Sequence, residues 1–268
     1  MGICAKTISP LVIHCFCGWN LLMFVLKFLT KILLWWYNRL KLHLQKYKRR
    51  GVLSIIELYH GSEKIVEKPE HMLGKSYNDY GRGFYCTENE DKAKEWACFF
   101  GKDGYVNKYL FDSSSLSVLD VLSGKDGILK HVALVLANRK MKFANGEQKM
   151  IADRIVDKYL PGSDEYDVIV GARCDDSYFS FVRAFIAGEL SIERLKIAYK
   201  NTSDCAQVVL KSERAIRALK FSDVSVADGT LYGFVRKNKD AKLRELVFAD
   251  ADIKSEGTYV VDVIRGEN

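Results

Sequence analysis

Proline is scarce, with three residues in a chain of 268, and neither an internal repeat nor a low-complexity stretch is present. Solenoid and collagenous architectures are thereby excluded. General disorder is excluded too, because 48% of the residues are hydrophobic and 28% charged. That composition builds a sizeable core in one domain of ordinary size with attachments. Residues 1–50 have no acidic side chain at all, yet carry nine Lys or Arg. The net charge of +7 originates there, since the remaining 218 residues hold 32 basic against 34 acidic side chains. No general nucleic-acid binding is expected of a body so balanced.

Common catalytic signatures are also missing. There is no GxxxxGK[ST], GxSxG or HExxH, and the five histidines (14, 43, 60, 71 and 131) have no ligand spacing. Gly81-Arg82-Gly83 lacks the remaining glycine of a dinucleotide fingerprint and precedes a strand instead of following one. Seven cysteines, at 4, 15, 17, 86, 98, 174 and 205, are odd in number and scattered, which points to a reducing compartment. The close pair Cys15-Phe16-Cys17 has no second pair to complete a zinc site, so no metal is expected.

What the N-terminal 50 residues do have is apolar texture. Leu11 to Leu26 is uncharged, Lys27 and Lys31 interrupt, and Ile32 to Tyr37 resumes before a basic flank ending at Arg50. Three readings compete: a short signal-anchor with its basic flank in the cytoplasm, a basic amphipathic helix lying in the membrane interface, and a true start at Met23. No small-residue cleavage site follows, and Lys6 breaks the myristoylation pattern that Gly2 opens. Membrane association through residues 11–50, with the folded domain in the cytoplasm, is the expectation. A start at Met23 or later would make the chain cytoplasmic.

From Leu53 onward, short apolar runs alternate with helical patterns. Strands are expected over Leu53–His60, Phe84–Thr87, Gly104–Phe111, Tyr166–Gly171 and Ala206–Leu210. Thr87 and Glu90 suggest a capping box opening a helix whose core face is Ala93, Trp96, Ala97 and Phe100. Further helices are expected over Ile128–Met141, Phe179–Gly188, Ser191–Tyr199 and Glu213–Lys220. After Phe221 the chain reads as strands, including Phe248–Ile253 and Tyr259–Ile264 around a turn at Lys254–Gly257. The irregular order makes the fold α+β.

Three features carry the chemistry. Leu58-Tyr59-His60-Gly61-Ser62 ends an apolar strand with an imidazole. Asn78 to Glu88 is a glycine-flanked entry into the aromatic strand of Tyr85. Ser203 to Leu210 puts one uncharged polar residue, Gln207, at a strand's start. Together and in this order they resemble the ADP-ribosyltransferase superfamily, in the branch of diphtheria toxin and poly-ADP-ribose polymerases. Within it they look like an uncharacterised bacterial family of small proteins. The resemblance runs from about Leu53 to Phe221. It implies a split mixed sheet with packed helices, a domain at 51–222, an N-terminal apolar and basic helical segment at 1–50, and a β-rich extension at 223–268.

The resemblance also implies NAD as substrate, cleaved by a mono-ADP-ribosyltransferase or NAD glycohydrolase of toxin or effector type. An unidentified protein or nucleic acid would accept the ADP-ribose. His60 would bind the adenine-side ribose, with Gly61 and Ser62 beside it, and Arg82 would reach the pyrophosphate. Tyr85 would stack on nicotinamide with its ring face, so that its hydroxyl counts for little. Gln207 stands where the superfamily has a catalytic Glu. It offers a hydrogen bond to the ribose 2′-OH but no negative charge, which leaves Asp175, Asp176 and Asp204 as candidate carboxylates. The alternative implied by this departure is a catalytically inactive module that binds NAD, ADP-ribose or a protein.

Overall fold

Strand-forming runs of β-branched residues dictate the framework. A computed structural model describes residues 55–98, 101–173, 176–200, 206–248 and 257–266, all within one compact unit that begins at Ile55. The strands are β1 (Ile55–Ser62), β2 (Phe84–Thr87), β3 (Gly104–Asp112), β4 (Val118–Asp120), β5 (Val168–Ala172), β6 (Ala206–Leu210) and β7 (Leu219–Ala227). They form one mixed sheet in the order β4-β5-β6-β2-β1-β3-β7, with β4 and β5 parallel and the other neighbours antiparallel. The fold is α+β.

The sheet has a weak seam. β1 pairs with β3 along its whole length, from Ile55 opposite Asp112 to Ser62 opposite Tyr105, whereas it meets β2 only at Tyr59 opposite Thr87. Two half-sheets, β4-β5-β6-β2 and β1-β3-β7, therefore join at one point and leave backbone groups on either side of it to find other partners.

Among the described residues the helices are α1 (Glu90–Ala97), α2 (Gly127–Asn138), α3 (Gly146–Tyr159), α4 (Asp176–Ile186), α5 (Ile192–Lys200), α6 (Glu213–Arg217), α7 (Gly229–Phe248) and α8 (Val260–Arg265). α2 is apolar around most of its circumference, and His131, Val132, Ala133, Leu134 and Val135 are all buried. The largest core cluster gathers these turns of α2 with Ala152 and Ile155 of α3, Phe181 and Phe185 of α4, Leu195 of α5 and Val260 and Val263 of α8.

Several expectations need correction. The cap of α1 is Asn89, whose side chain accepts from Lys92 N at 3.2 Å; Thr87 Oγ1 instead accepts from Asn89 N, also at 3.2 Å. The N-cap is therefore Asn89, two residues after the Thr87 read as the start of a capping box, and it is a one-way side-chain cap. α2 ends at Asn138 and not at Met141, α6 ends at Arg217, and α3 and β4 were not foreseen. α3 buries only Ala152 and Ile155 completely, too narrow a stripe to stand out.

The largest correction concerns the C-terminal extension, which is helical beyond β7. Tyr259–Ile264, expected as a strand, is taken up by α8: Tyr259 N donates to Asp262 Oδ2 at 2.8 Å, and Val260 and Val263 are buried one turn apart. Packing of that face outweighs the β-branched composition. Phe248 ends α7, and 249–253 lie outside the described residues. The expected boundary at 222/223 falls inside β7, which closes the sheet's edge against β3.

Candidate functional site

At the seam, a single row of side chains crosses the sheet. Tyr59 lies opposite Thr87, Thr87 opposite Gln207, and Gln207 opposite Gly171, so all four project to one face. Gln207 is 6% exposed, and its Oε1 is buried without a hydrogen-bond partner among the described residues. Such an acceptor costs about 1–3 kcal/mol while unpaired. Two residues along β2, on this same face, stands Tyr85, packed against Tyr80, Val121, Leu134, Ile169 and Val209.

Tyr85 is fixed at its polar end as well. Its hydroxyl donates to Gly81 O at 2.6 Å and accepts from Tyr80 N at 3.2 Å. Burial, with the nearby Asp79 carboxylate adding to it, pushes the phenol pKa well up. The hydroxyl therefore shapes the Tyr80–Gly81 turn, contrary to the expectation that only the ring face matters. Tyr80 in turn donates to Ala172 O at 2.6 Å, and an ideal Cβ on Gly171 would lie 2.2 Å from that hydroxyl. Glycine at 171 thus makes room for Tyr80 beside Gln207.

His60 is on the other face. Its ring stacks on Phe84 at 4.4 Å between centroids, and Phe84 belongs to the cluster of Leu58 and Cys86. Its Nδ1–H donates to Tyr85 O at 2.7 Å, satisfying a carbonyl beyond the one point where β1 and β2 pair. This bond leaves the lone pair on Nε2 in the neutral ring. Burial lowers the His60 pKa, opposed by the bond to Tyr85 O. The imidazole is thus a clasp across the seam, bonded to Tyr85's backbone but separated by the sheet from its ring.

The other predicted residues have structural work of their own. Gly61 underlies α1: an ideal Cβ there would lie 1.9 Å from Ala93 O. Ser62 Oγ donates to Lys64 O and accepts from Asn107 Nδ2 at 3.1 Å. Arg82 is exposed, with a long 3.5 Å contact to Met72 O. Asp175 and Asp204 lie outside the described residues, as does Phe100, and the Asp176 side chain is likewise not described. The structure brings Tyr85 and Gln207 to one face; it does not bring His60, Ser62 or Arg82 there.

Sequence reasoning missed four neighbours, in two pairs. Trp96, expected as core, is half-buried on α1, and its Nε1–H is buried without a partner among the described residues. The Arg173 guanidinium lies over its ring, 4.8 Å from the centroid. Arg173 follows β5 and alternates to the face of Gly171, so the Trp96–Arg173 pair lies on the Gln207 side of the sheet. Asp79 is 4% exposed and ion-paired to Arg139 Nε at 2.6 Å. No spacing rule links positions 79, 96, 139 and 173; the only signal was that Asp79 and Trp96 flank Tyr85.

Among the described residues, no cluster of His, Cys, Asp or Glu could hold a metal. No helix there is long and apolar enough to cross a membrane, and the apolar segment at 11–37 is outside them. No curated protein and no solved structure matches the chain. Residues 56–221, more than half of the chain, match a family described as a protein of unknown function, DUF3990, and the chain belongs to that family.

Proposed function

We propose that the chain is an NAD-dependent mono-ADP-ribosyltransferase, or NAD glycohydrolase, built on an ADP-ribosyltransferase-like sheet that divides at the β1–β2 seam. The observation that carries this reading is Gln207: a buried acceptor left unpartnered on the face that also holds Tyr85. In this reading, Gln207 Oε1 accepts from the nicotinamide-ribose 2′-OH, and Tyr85, held at both ring and hydroxyl, is the platform for nicotinamide. The bond between ribose C1′ and the nicotinamide nitrogen breaks with its electron pair going to the ring. A nucleophile or water then adds at C1′ and loses its proton. Preorganised groups favour that cationic transition state without reorganising.

A second reading is an inactive module that binds NAD, ADP-ribose or a protein. Charge favours it: Asp79 is neutralised by Arg139, and buried Glu95 by Lys92 at 3.2 Å and Lys239 at 2.5 Å. Neither carboxylate is left for an oxocarbenium ion.

Incubating the full chain with radiolabelled NAD, with and without cell lysate, separates the two. Turnover that Gln207→Ala removes and Gln207→Glu raises supports the enzyme, because the new carboxylate stabilises the transition state more than the ground state. Saturable NAD binding without turnover supports the module. Neither NAD binding nor turnover sinks the enzyme and the NAD-binding form of the module. Membrane association through residues 11–50 is part of the proposal, and recovery of the intact chain as a soluble monomer without detergent would overturn it.

A further inference from the structure

Away from the Gln207 row, a groove of about 600 Å³ opens between the loop before α3, the outer side of α4 and the C-terminal end of α7. Its volume is that of a small-molecule site. Three cations line it, Lys142, Arg183 and Arg244, against one carboxylate, Glu189. Arg244 is already positioned: its Nε donates to Asp240 Oδ2 at 3.0 Å and its Nη1 to Ser180 Oγ at 3.1 Å. Among the described residues, Lys142 and Arg183 have no ion pair, although Glu189 lines the same groove. Like charges left unpaired around one cavity repel, and an anion seated among them removes that repulsion. Guanidinium forks match phosphate oxygens in particular.

The walls add an apolar element. Phe248 is 37% exposed and is held by the buried ring of Phe181, 5.5 Å away between centroids. Phe143 also lines the groove and packs against the main core cluster. Anchored rings beside a phosphate-binding set of cations suit a ligand that joins a phosphate to a flat base. A polynucleotide would need a basic track, which a body of 32 basic and 34 acidic side chains does not provide. We propose that this groove binds a nucleoside mono- or diphosphate, with the phosphate at Arg183, Lys142 and Arg244 and the base against Phe143 and Phe248.

Calorimetric titration of the full chain with ADP tests it, with inorganic phosphate and adenosine titrated separately. Saturable ADP binding is expected, at least tenfold tighter than either fragment. The double variant Lys142→Ala/Arg183→Ala should weaken ADP at least tenfold with its melting temperature unchanged, because neither side chain holds the fold. Gln207→Ala should leave ADP affinity unaltered. ADP binding lost in Gln207→Ala but kept in the double variant would assign the nucleotide to the Gln207 face and overturn the groove site, while sparing the reading proposed above. Absence of ADP binding, or phosphate binding as tightly as ADP, would also overturn it.

Discussion

Two buried polar groups stand at opposite ends of the β5–β6 pair, and their surroundings differ completely. At the end where Val168 faces Leu210, the Asp167 carboxylate accepts from Ser117 N at 2.8 Å, Ser117 Oγ at 2.9 Å, Ser212 Oγ at 2.6 Å and Arg214 Nη2 at 2.5 Å. The Arg214 guanidinium, then the Ser212 and Ser117 donors, hold its carboxyl well below the usual carboxylate range. At the end where Gly171 faces Gln207, the amide Oε1 has no partner among the described residues. The first arrangement ties β4, β5 and α6 together and leaves nothing for a ligand to complete. The second spends stability at a strand position that Val, Ile or Leu would fill better. The Asp167 end, with its partners in place, is architecture; the Gln207 end is where the proposed function seats a ligand.

The sharpest way to break this contrast is Asp167→Ala. It leaves the serine donors and Arg214 without their acceptor and should cost on the order of 3 kcal/mol, discounted for the solvent exposure of Arg214. Denaturant titration measures it, and a loss no larger than that of a surface substitution would mean the network is ornamental. Acid should act on the same end of the contrast. Because the folded-state pKa of Asp167 is depressed, its contribution is present above the ordinary aspartate pKa of about 4 and is lost as pH falls below it.

A buried histidine gives the next effect. His131 Nε2–H donates to Ala172 O at 3.1 Å and its Nδ1 accepts from Tyr199 Oη at 2.5 Å, while burial holds its pKa down to about 4. Between the free value of about 6.5 and that lowered value, the unfolded chain binds a proton that the native chain does not. Stability should therefore fall on acidification through this window, by at most about 1.4 kcal/mol per pH unit. Denaturation of wild type and His131→Asn between pH 7 and pH 5 measures it, and equal slopes would remove His131 from the account.

Tyr85→Phe should cost about 1 kcal/mol of stability, because Gly81 O and Tyr80 N lose their shared partner. NAD binding should weaken with it as the turn loosens. An unchanged variant in both measurements would restore the view that only the ring face matters. Smallest, and opposite in sign, is Gln207→Leu. Replacing an unpartnered acceptor by an apolar side chain of similar size should leave stability unchanged or raise it by up to about 1 kcal/mol, while abolishing NAD binding. Destabilisation instead would place Gln207 with Asp167 on the architectural side.

Much of the framework was legible from periodicity and composition. Ala206–Leu210 and Phe84–Thr87 read as strands at their true limits because β-branched and aromatic residues were bounded by glycine or polar residues. α7 was not legible, for its charged residues follow no apolar stripe. It rests on a long-range contact, Lys239 on buried Glu95 at 2.5 Å, beside a local cap in which Asp228 Oδ1 accepts from Leu231 N at 2.9 Å. α8 was read with the wrong period because Val260 and Val263 obey burial against other helices and not their own preference.

For the site, the order of His60, Tyr85 and Gln207 along the chain was enough to name three residues but not to say which of them meet. Sequence alone determined that these residues fall on strands, since strand character is written in local composition. Register decided the rest. Alternation along β1 and β2 sends His60 to one face and Tyr85 to the other, and the pairing of β2 with β6 and β5 sets Gln207 between Thr87 and Gly171. A shift of one residue in either ladder would reverse those faces, and no local pattern fixes that choice. The unpartnered amide, the Trp96–Arg173 stack and the cationic groove arise from contacts between segments far apart in sequence, so only the tertiary structure decided them.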